Sequence, residues 1–229
     1  MPDIVGMTRR GGLPLTRDVS FAYALTWLTA GLLLLSSVSG LLYGQRGWYD
    51  REAATLPALL GQDAVALIFG LPVLLSSAWL ARRGSMRGLL CWMGSLFYVA
   101  YFWYFYVIGI QFNPLFPAHI AMVSMSMYAV LYLLFSLDLE GVLEGVKARF
   151  SDRVPIRPIS GFLITTSLGF AALWLGLIVS SLAAGTELDL VSRYVIAVDG
   201  VVLLPLAFFA GCGSGAVKHW GTRSRGYCS

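Results

Sequence analysis

Residues 21–43 read FAYALTWLTAGLLLLSSVSGLLY, a stretch that contains no charged side chain. A helix rises about 1.5 Å per residue, so this stretch is long enough to cross a hydrocarbon layer about 30 Å thick. Arginines precede this stretch. Because arginines also precede the apolar core of a signal peptide, a cleavable signal peptide is the alternative interpretation of this segment. The apolar run is longer than the core of a signal peptide, and five more such runs follow, so we interpret it as a membrane span.

The rest of the chain repeats this pattern. Of the 229 residues, 58% are hydrophobic and only 12% are charged, whereas a water-soluble domain carries about 25% charged residues. A backbone in hydrocarbon must satisfy its own hydrogen bonds, and the runs lack the alternation of barrel strands. The sequence therefore predicts an all-α polytopic bundle, a single domain over residues 1–211. Its six transmembrane helices are predicted at residues 21–43, 57–80, 89–110, 114–137, 159–183 and 194–211.

The basic residues indicate the orientation of these spans. Thirteen of the 16 lysines and arginines fall in the N-terminal segment, the second and fourth connections and the tail, which all lie on one side of the predicted bundle. The other side has only Arg46, Arg51 and Arg193. By the positive-inside rule we expect both termini to be cytoplasmic and the protein to lie in the plasma (inner) membrane. The net charge of +4 thus reports topology and does not indicate a nucleic-acid partner.

The expected partners are the lipid bilayer and either another membrane protein or a second copy of the chain. Along the fifth span, Gly161, Thr165 and Gly169 are spaced by four, a pattern that lets two helix backbones approach closely. Apolar residues at helical spacing over 139–150 predict an interfacial helix, with a solvated linker as the alternative. Residues 212–229 are polar and rich in glycine, which predicts a flexible cytoplasmic tail.

Three ionisable side chains interrupt the apolar runs. Asp63, His119 and Asp199 lie in the second, fourth and sixth spans, each five or six residues from the predicted outer end. Because a charge inside a span is costly, each is a candidate functional residue. Asp63 has the alternative role of a helix-start residue favoured by the helix dipole, and His119 that of an interfacial histidine. The apolar surroundings of Asp199 favour a buried, paired role.

Other polar groups are predicted near these three. Tyr98 and Tyr101 lie on one face of the third span, although the aromatic residues around them are also typical of a membrane-interface belt. Asn113 lies before the fourth span, where Asn-Pro predicts a rigid turn and a pocket-lining role is the alternative. Together these residues predict an outward-facing acidic, aromatic-lined pocket that binds or transports a small solute or ion.

Two other classes of function stay open. In the first, the chain is an accessory or structural subunit of a membrane complex. In the second, it is a membrane-embedded enzyme that uses His119 with an aspartate as acid and base. A serine–histidine pair is compatible with the composition, but nothing singles out a nucleophile. His219 lies in the tail on the other side, so two histidines are not available for haem. No catalytic residue, cofactor, metal or disulfide is predicted.

The turn between the second and third spans is basic. It contains Arg82, Arg83 and Arg87 within eight residues. Its structural role is to fix the topology of the two spans. The alternative is that its arginines hold the phosphate of a lipid headgroup.

Several short motifs give the chain a resemblance to known sequences. They are Gly61-Gln62-Asp63, Gly70-Leu71-Pro72, Ala81-Arg82-Arg83-Gly84-Ser85, Arg87-Gly88 and Phe112-Asn113-Pro114-Leu115-Phe116. Over residues 57–135 the chain resembles a group of uncharacterised prokaryotic multi-pass membrane proteins. The resemblance implies a membrane-embedded helical fold and no known activity. The second and sixth spans each contain an aspartate followed by a proline, Asp63 and Pro72 in one and Asp199 and Pro205 in the other.

Overall fold

The computed structural model describes residues 13, 15–16, 18–49, 56–110, 112–138, 156–188 and 190–212. Within these ranges six helices are long and apolar enough to cross a membrane, and there is no β-strand. The predicted all-α class with six transmembrane helices is therefore confirmed. The helices are α1 (Ser20–Tyr43), α2 (Leu56–Arg82), α3 (Met86–Ile108), α4 (Phe116–Ser136), α5 (Ile156–Ala184) and α6 (residues 190–212).

Two segments with sequence-based predictions lie outside the described residues. They are the interfacial helix predicted at 139–150 and, apart from its first residue, the tail predicted at 212–229. The six helices form two compact units, with α1–α4 in residues 1–148 and α5 and α6 in residues 149–229. The predicted single domain thus contains two such units.

The first unit has an aromatic and aliphatic core. Trp92 of α3 is fully buried, stacks on Tyr23 at 4.3 Å between ring centroids, and donates its indole N–H to the Thr26 hydroxyl. The helix pairs α3–α4, α2–α3 and α1–α4 pack most extensively. Between α2 and α3 the backbones nearly touch, because a Cβ on Gly88 would lie only 2.6 Å from the Cβ of Leu80.

The segment before α1 lies against the end of α4. The backbone N–H of Thr16 donates to the Ser136 carbonyl at 2.9 Å, and Tyr132 donates its hydroxyl to the carbonyl of Asp18. The start of α1 and the end of α4 are therefore at the same end of this unit. Four helices that each cross once produce this arrangement.

Two helices contain a π-helical turn, and each turn is followed by a proline. In α2 the π turn covers Ala66–Gly70 and Pro72 follows it; in α6 the π turn covers Asp199–Leu203 and Pro205 follows it. A proline ring clashes with the carbonyl four residues earlier in an α-helix. The wider turn relieves this clash, and it places a local irregularity beside each of the two intramembrane aspartates.

Candidate functional site

Asp63 is a completely buried ionisable group of the first unit. It lies in α2 three residues before the π turn and is completely buried. Tyr49 donates its hydroxyl to Oδ2 at 2.7 Å, and Tyr106 of α3 donates to Oδ1 at 3.1 Å. The Ser37 hydroxyl of α1 lies near the same carboxyl group but makes no hydrogen bond of good geometry. Groups from α1, α2, α3 and the segment after α1 thus converge on one carboxyl group.

Two glycines, Gly40 in α1 and Gly44 directly after it, create the space for this convergence. A Cβ on Gly40 would collide with Oδ2 of Asp63 and with the Tyr49 hydroxyl. A Cβ on Gly44 would lie 2.8 Å from the Tyr49 ring. Because both positions lack a side chain, the Asp63 carboxyl group and the Tyr49 ring lie directly against the α1 backbone.

Asp63 has hydroxyl partners and no ionic partner within the described residues. The Tyr106 hydroxyl is shared, because it lies 3.2 Å from the Leu59 carbonyl as well as 3.1 Å from Asp63. A phenol has one hydrogen to donate, and its oxygen also accepts. When the carboxyl group is ionised, both phenols donate to it. When it is protonated, Tyr106 turns to Leu59 and accepts from the acid. The same side chains therefore satisfy both protonation states.

Tyr49 lies outside the spans, in the segment between α1 and α2, and only 1% of its surface is exposed. Burial raises the pKa of its phenol well above the ordinary value, and the adjacent Asp63 carboxylate raises it further. Tyr49 therefore remains a hydrogen-bond donor throughout the physiological pH range.

His119 lies next to this group, in the first turns of α4. It is completely buried, its Nε2 is 2.9 Å from the Ser36 hydroxyl, and its Nδ1 has no hydrogen-bond partner. Trp103 donates its indole N–H to the same Ser36 oxygen at 3.2 Å. The Tyr106 ring meets the imidazole edge-to-face, at 5.3 Å between centroids. Tyr106 thus contacts both Asp63 and His119. The six residues Ser36, Tyr49, Asp63, Trp103, Tyr106 and His119 are called the polar cluster below.

The Ser36–His119 pair has the separation of a catalytic serine–histidine dyad. However, Ser36 is completely buried in α1, and its oxygen accepts the indole hydrogen of Trp103. A nucleophile needs open space on the side where the substrate carbonyl approaches. Ser36 has no exposed surface in this structure, and its contact with His119 joins α1 to α4.

Tyr98 lies at the edge of the polar cluster. It accepts a hydrogen bond of 2.6 Å from Gln62, the residue before Asp63, and its ring packs against Gly70 of the π turn. Tyr101 is half-buried and packs edge-to-face against Phe102 and Phe105. The structure thus brings Tyr98 beside Asp63 and places Tyr101 in a row of aromatic rings along α3.

Asn113 builds the turn before α4. Its side-chain oxygen accepts from the Leu115 backbone N–H at 2.9 Å, and its carbonyl accepts from the Phe116 N–H at 3.0 Å. The side chain is buried. Asn113 therefore fixes the start of the helix that carries His119.

Asp199 belongs to the second unit. It is buried at the start of the π turn of α6 and accepts a hydrogen bond of 3.1 Å from the indole N–H of Trp174. Trp174 and Gly200 line a largely apolar groove of about 530 Å³ between α5 and α6. Asp199, which was expected to be buried and paired, thus has a hydrogen-bond partner within its own unit. Its predicted participation in one pocket with Asp63 and His119 stays a prediction.

The three arginines of the basic turn between α2 and α3 lie on the surface of the protein. Arg82, Arg83 and Arg87 are all exposed. Arg82 lies over the Tyr23 ring at 5.2 Å and Arg83 over the Trp79 ring at 3.6 Å. Two of these guanidinium groups are therefore held against aromatic surfaces.

Sequence reasoning missed most of the partners of Asp63 and His119. Tyr49 lies in a polar connection and Tyr106 in an aromatic-rich stretch, so neither stands out by composition. One usable signal was present at the end of α1, where Ser36, Gly40 and the residue directly after the helix, Gly44, recur at a spacing of four. Small residues at that spacing predict a face of close approach, and this face of α1 does contact the polar cluster.

Comparisons with known proteins do not assign the chain to a family. The sequence matches no protein-family model, no curated protein and no solved structure. Within the described ranges no group of three or more histidine, cysteine, aspartate or glutamate side chains is arranged to hold a metal ion. The helices of the chain identify it as a multi-pass membrane protein and no more.

Proposed function

We propose that this protein binds or transports a small solute or ion and that Asp63 takes up and releases a proton in that process. The observation that carries the proposal is a completely buried carboxyl group in a span, hydrogen-bonded by Tyr49 and Tyr106 and without a basic partner in the described chain. Ionisable groups inside spans commonly act in ion or proton pathways.

The chemistry of the polar cluster supports a proton as the exchanged species. An unpaired carboxylate in hydrocarbon costs several kcal/mol, whereas a neutral acid with hydrogen-bond partners costs much less. The Tyr106 hydroxyl has acceptors in both states, Asp63 Oδ1 and the Leu59 carbonyl. Proton transfer at Asp63 therefore requires the hydroxyl to rotate and does not require the helices to repack.

The cluster is proposed to face the outside of an inner membrane, with both termini cytoplasmic. Tyr49 follows α1 and His119 lies in the first turns of α4, so the cluster lies at the end of the unit opposite to the N-terminal segment. The excess of basic residues on the N-terminal side supports a cytoplasmic location for that side.

The proposal is tested by infrared pH-difference spectroscopy on the purified protein in lipid bilayers. We expect a protonated-carboxyl band that titrates in the unmodified protein, is lost in Asp63→Asn and persists in the matched control Asp199→Asn. In proteoliposomes with a trapped pH dye and an imposed membrane potential, Asp63→Asn should reduce proton flux at least tenfold. An unchanged band and unchanged flux in Asp63→Asn would contradict the proposal.

A second candidate, an accessory subunit of a membrane complex or a homo-oligomer, is favoured by the second unit. In the apolar stretches of α5 and α6 only 6% and 11% of the residues are buried, against 28% to 44% in those of α1–α4. A Cβ on Gly161, Gly169 or Gly176 would meet open space, so no residue that the structure describes packs against these positions of α5. Cross-linking in membranes should give a defined complex that Gly169→Leu disrupts; a monomer in both cases would count against this role.

A further inference from the structure

The turn between α2 and α3 is a rigid frame for its arginines. The Gly84 N–H donates to the Ala81 carbonyl at 2.9 Å and the Ser85 N–H to the Leu80 carbonyl at 3.1 Å. Gly84 has a φ of 80°, a left-handed conformation that favours glycine. Ser85 then caps α3 by accepting from the Gly88 N–H. The backbone that carries Arg82 and Arg83 is thus fixed by its own hydrogen bonds.

Aromatic rings hold the two guanidinium groups in place. Arg82 lies over Tyr23, whose ring stacks on the fully buried Trp92 and whose hydroxyl donates to the Ala78 carbonyl. Arg83 lies 3.6 Å from the centroid of Trp79, a ring that is 51% exposed. Stacking uses the face of a guanidinium group and leaves the N–H groups at its edge free to bind an anion.

These arginines have no carboxylate partner in the described part of the chain, and they lie at the C-terminal end of α2. The anion found at that level of a bilayer is the lipid phosphate. The exposed Trp79 ring is suited to the same interfacial layer. From these observations we infer that the α2–α3 turn is a binding site for the phosphate group of an anionic phospholipid, held by the guanidinium edges of Arg82 and Arg83.

The site differs from a general attraction between positive charge and the membrane. A planar guanidinium group binds phosphate with two parallel hydrogen bonds, which a lysine ammonium cannot reproduce. The rings of Tyr23 and Trp79 hold the guanidinium planes before the lipid arrives. Both features predict that the identity of the basic residue matters as well as its charge.

The test is a titration of the purified full-length protein in detergent, followed by native mass spectrometry. The probes are phosphatidylglycerol, diacylglycerol, which lacks the phosphate, and glycerol 3-phosphate, which lacks the acyl chains. We expect phosphatidylglycerol to bind and the other two probes not to compete with it. Removing charge should cost about fivefold in affinity for each arginine, so Arg82→Gln combined with Arg83→Gln should weaken binding about 25-fold.

A matched control is available at the other end of α1, where Arg46 lies 5.6 Å from the Tyr43 ring centroid. Arg46→Gln should leave the affinity unchanged. Replacing Arg82 and Arg83 by lysine should still weaken binding several-fold, and so should Trp79→Leu. Wild-type affinity in the double glutamine variant would overturn the site, and wild-type affinity in the double lysine variant would overturn guanidinium recognition. Equal competition by glycerol 3-phosphate would assign the site to a free phosphate instead of a lipid.

Discussion

Gly40→Ala adds a single methyl group at the point where α1 meets the Asp63 carboxyl group. The added carbon would collide with Asp63 Oδ2 and with the Tyr49 hydroxyl, which are hydrogen-bonded to each other. Overpacking of this kind costs about 1–3 kcal/mol, and loss of a hydrogen bond to a carboxylate about 1.5–3 kcal/mol. Alanine favours the helix by about 1 kcal/mol over glycine. We therefore expect a net loss of about 1.5–5 kcal/mol of unfolding free energy.

The same helix contains its own control. A Cβ on Gly31 meets nothing within 4 Å, so Gly31→Ala gains helix propensity without a collision. The unfolding free energy of both variants is measured in mixed micelles with increasing amounts of a denaturing detergent, and the difference between them cancels the propensity term. We expect Gly40→Ala to be less stable than Gly31→Ala by about 2.5–6 kcal/mol. Equal stability of the two variants would refute the close approach of α1 to Asp63.

Two further predictions concern packing and pH. Gly88→Ala would place a Cβ 2.6 Å from the Leu80 Cβ and should lower the unfolding free energy by about 1–3 kcal/mol. The control is Gly94→Ala on the same helix, whose Cβ meets open space and should not lower stability. Thermal unfolding in detergent measures both variants. Because the folded pKa of Tyr49 is raised above its ordinary value of 10.0, the unfolded chain loses this proton first and stability should fall as pH rises above 10. Tyr49→Phe should flatten that dependence in denaturation curves, and an identical slope in both proteins would show that Tyr49 does not contribute.

The candidate site was only partly readable from the chain. Asp63 and His119 were found because an ionisable residue in an apolar run is conspicuous whatever surrounds it. Their shared neighbour Tyr106 was not found, because one tyrosine among the eight aromatic residues at positions 97–106 of α3 has no distinguishing local feature. The two π turns also went unpredicted, although the Asp–Pro pattern that accompanies them was visible in both spans.

The sequence by itself determined that the chain is a helical membrane protein with six spans, because a span is a local property. About 20 consecutive apolar residues suffice, and no distant residue has to be known. Only the tertiary structure decided that Tyr49 and Tyr106 meet Asp63 and that Gly40 makes room for them. Those contacts join residues 14 to 43 positions apart, and they depend on the direction in which each helix turns its side chains, which is set by packing against its neighbours.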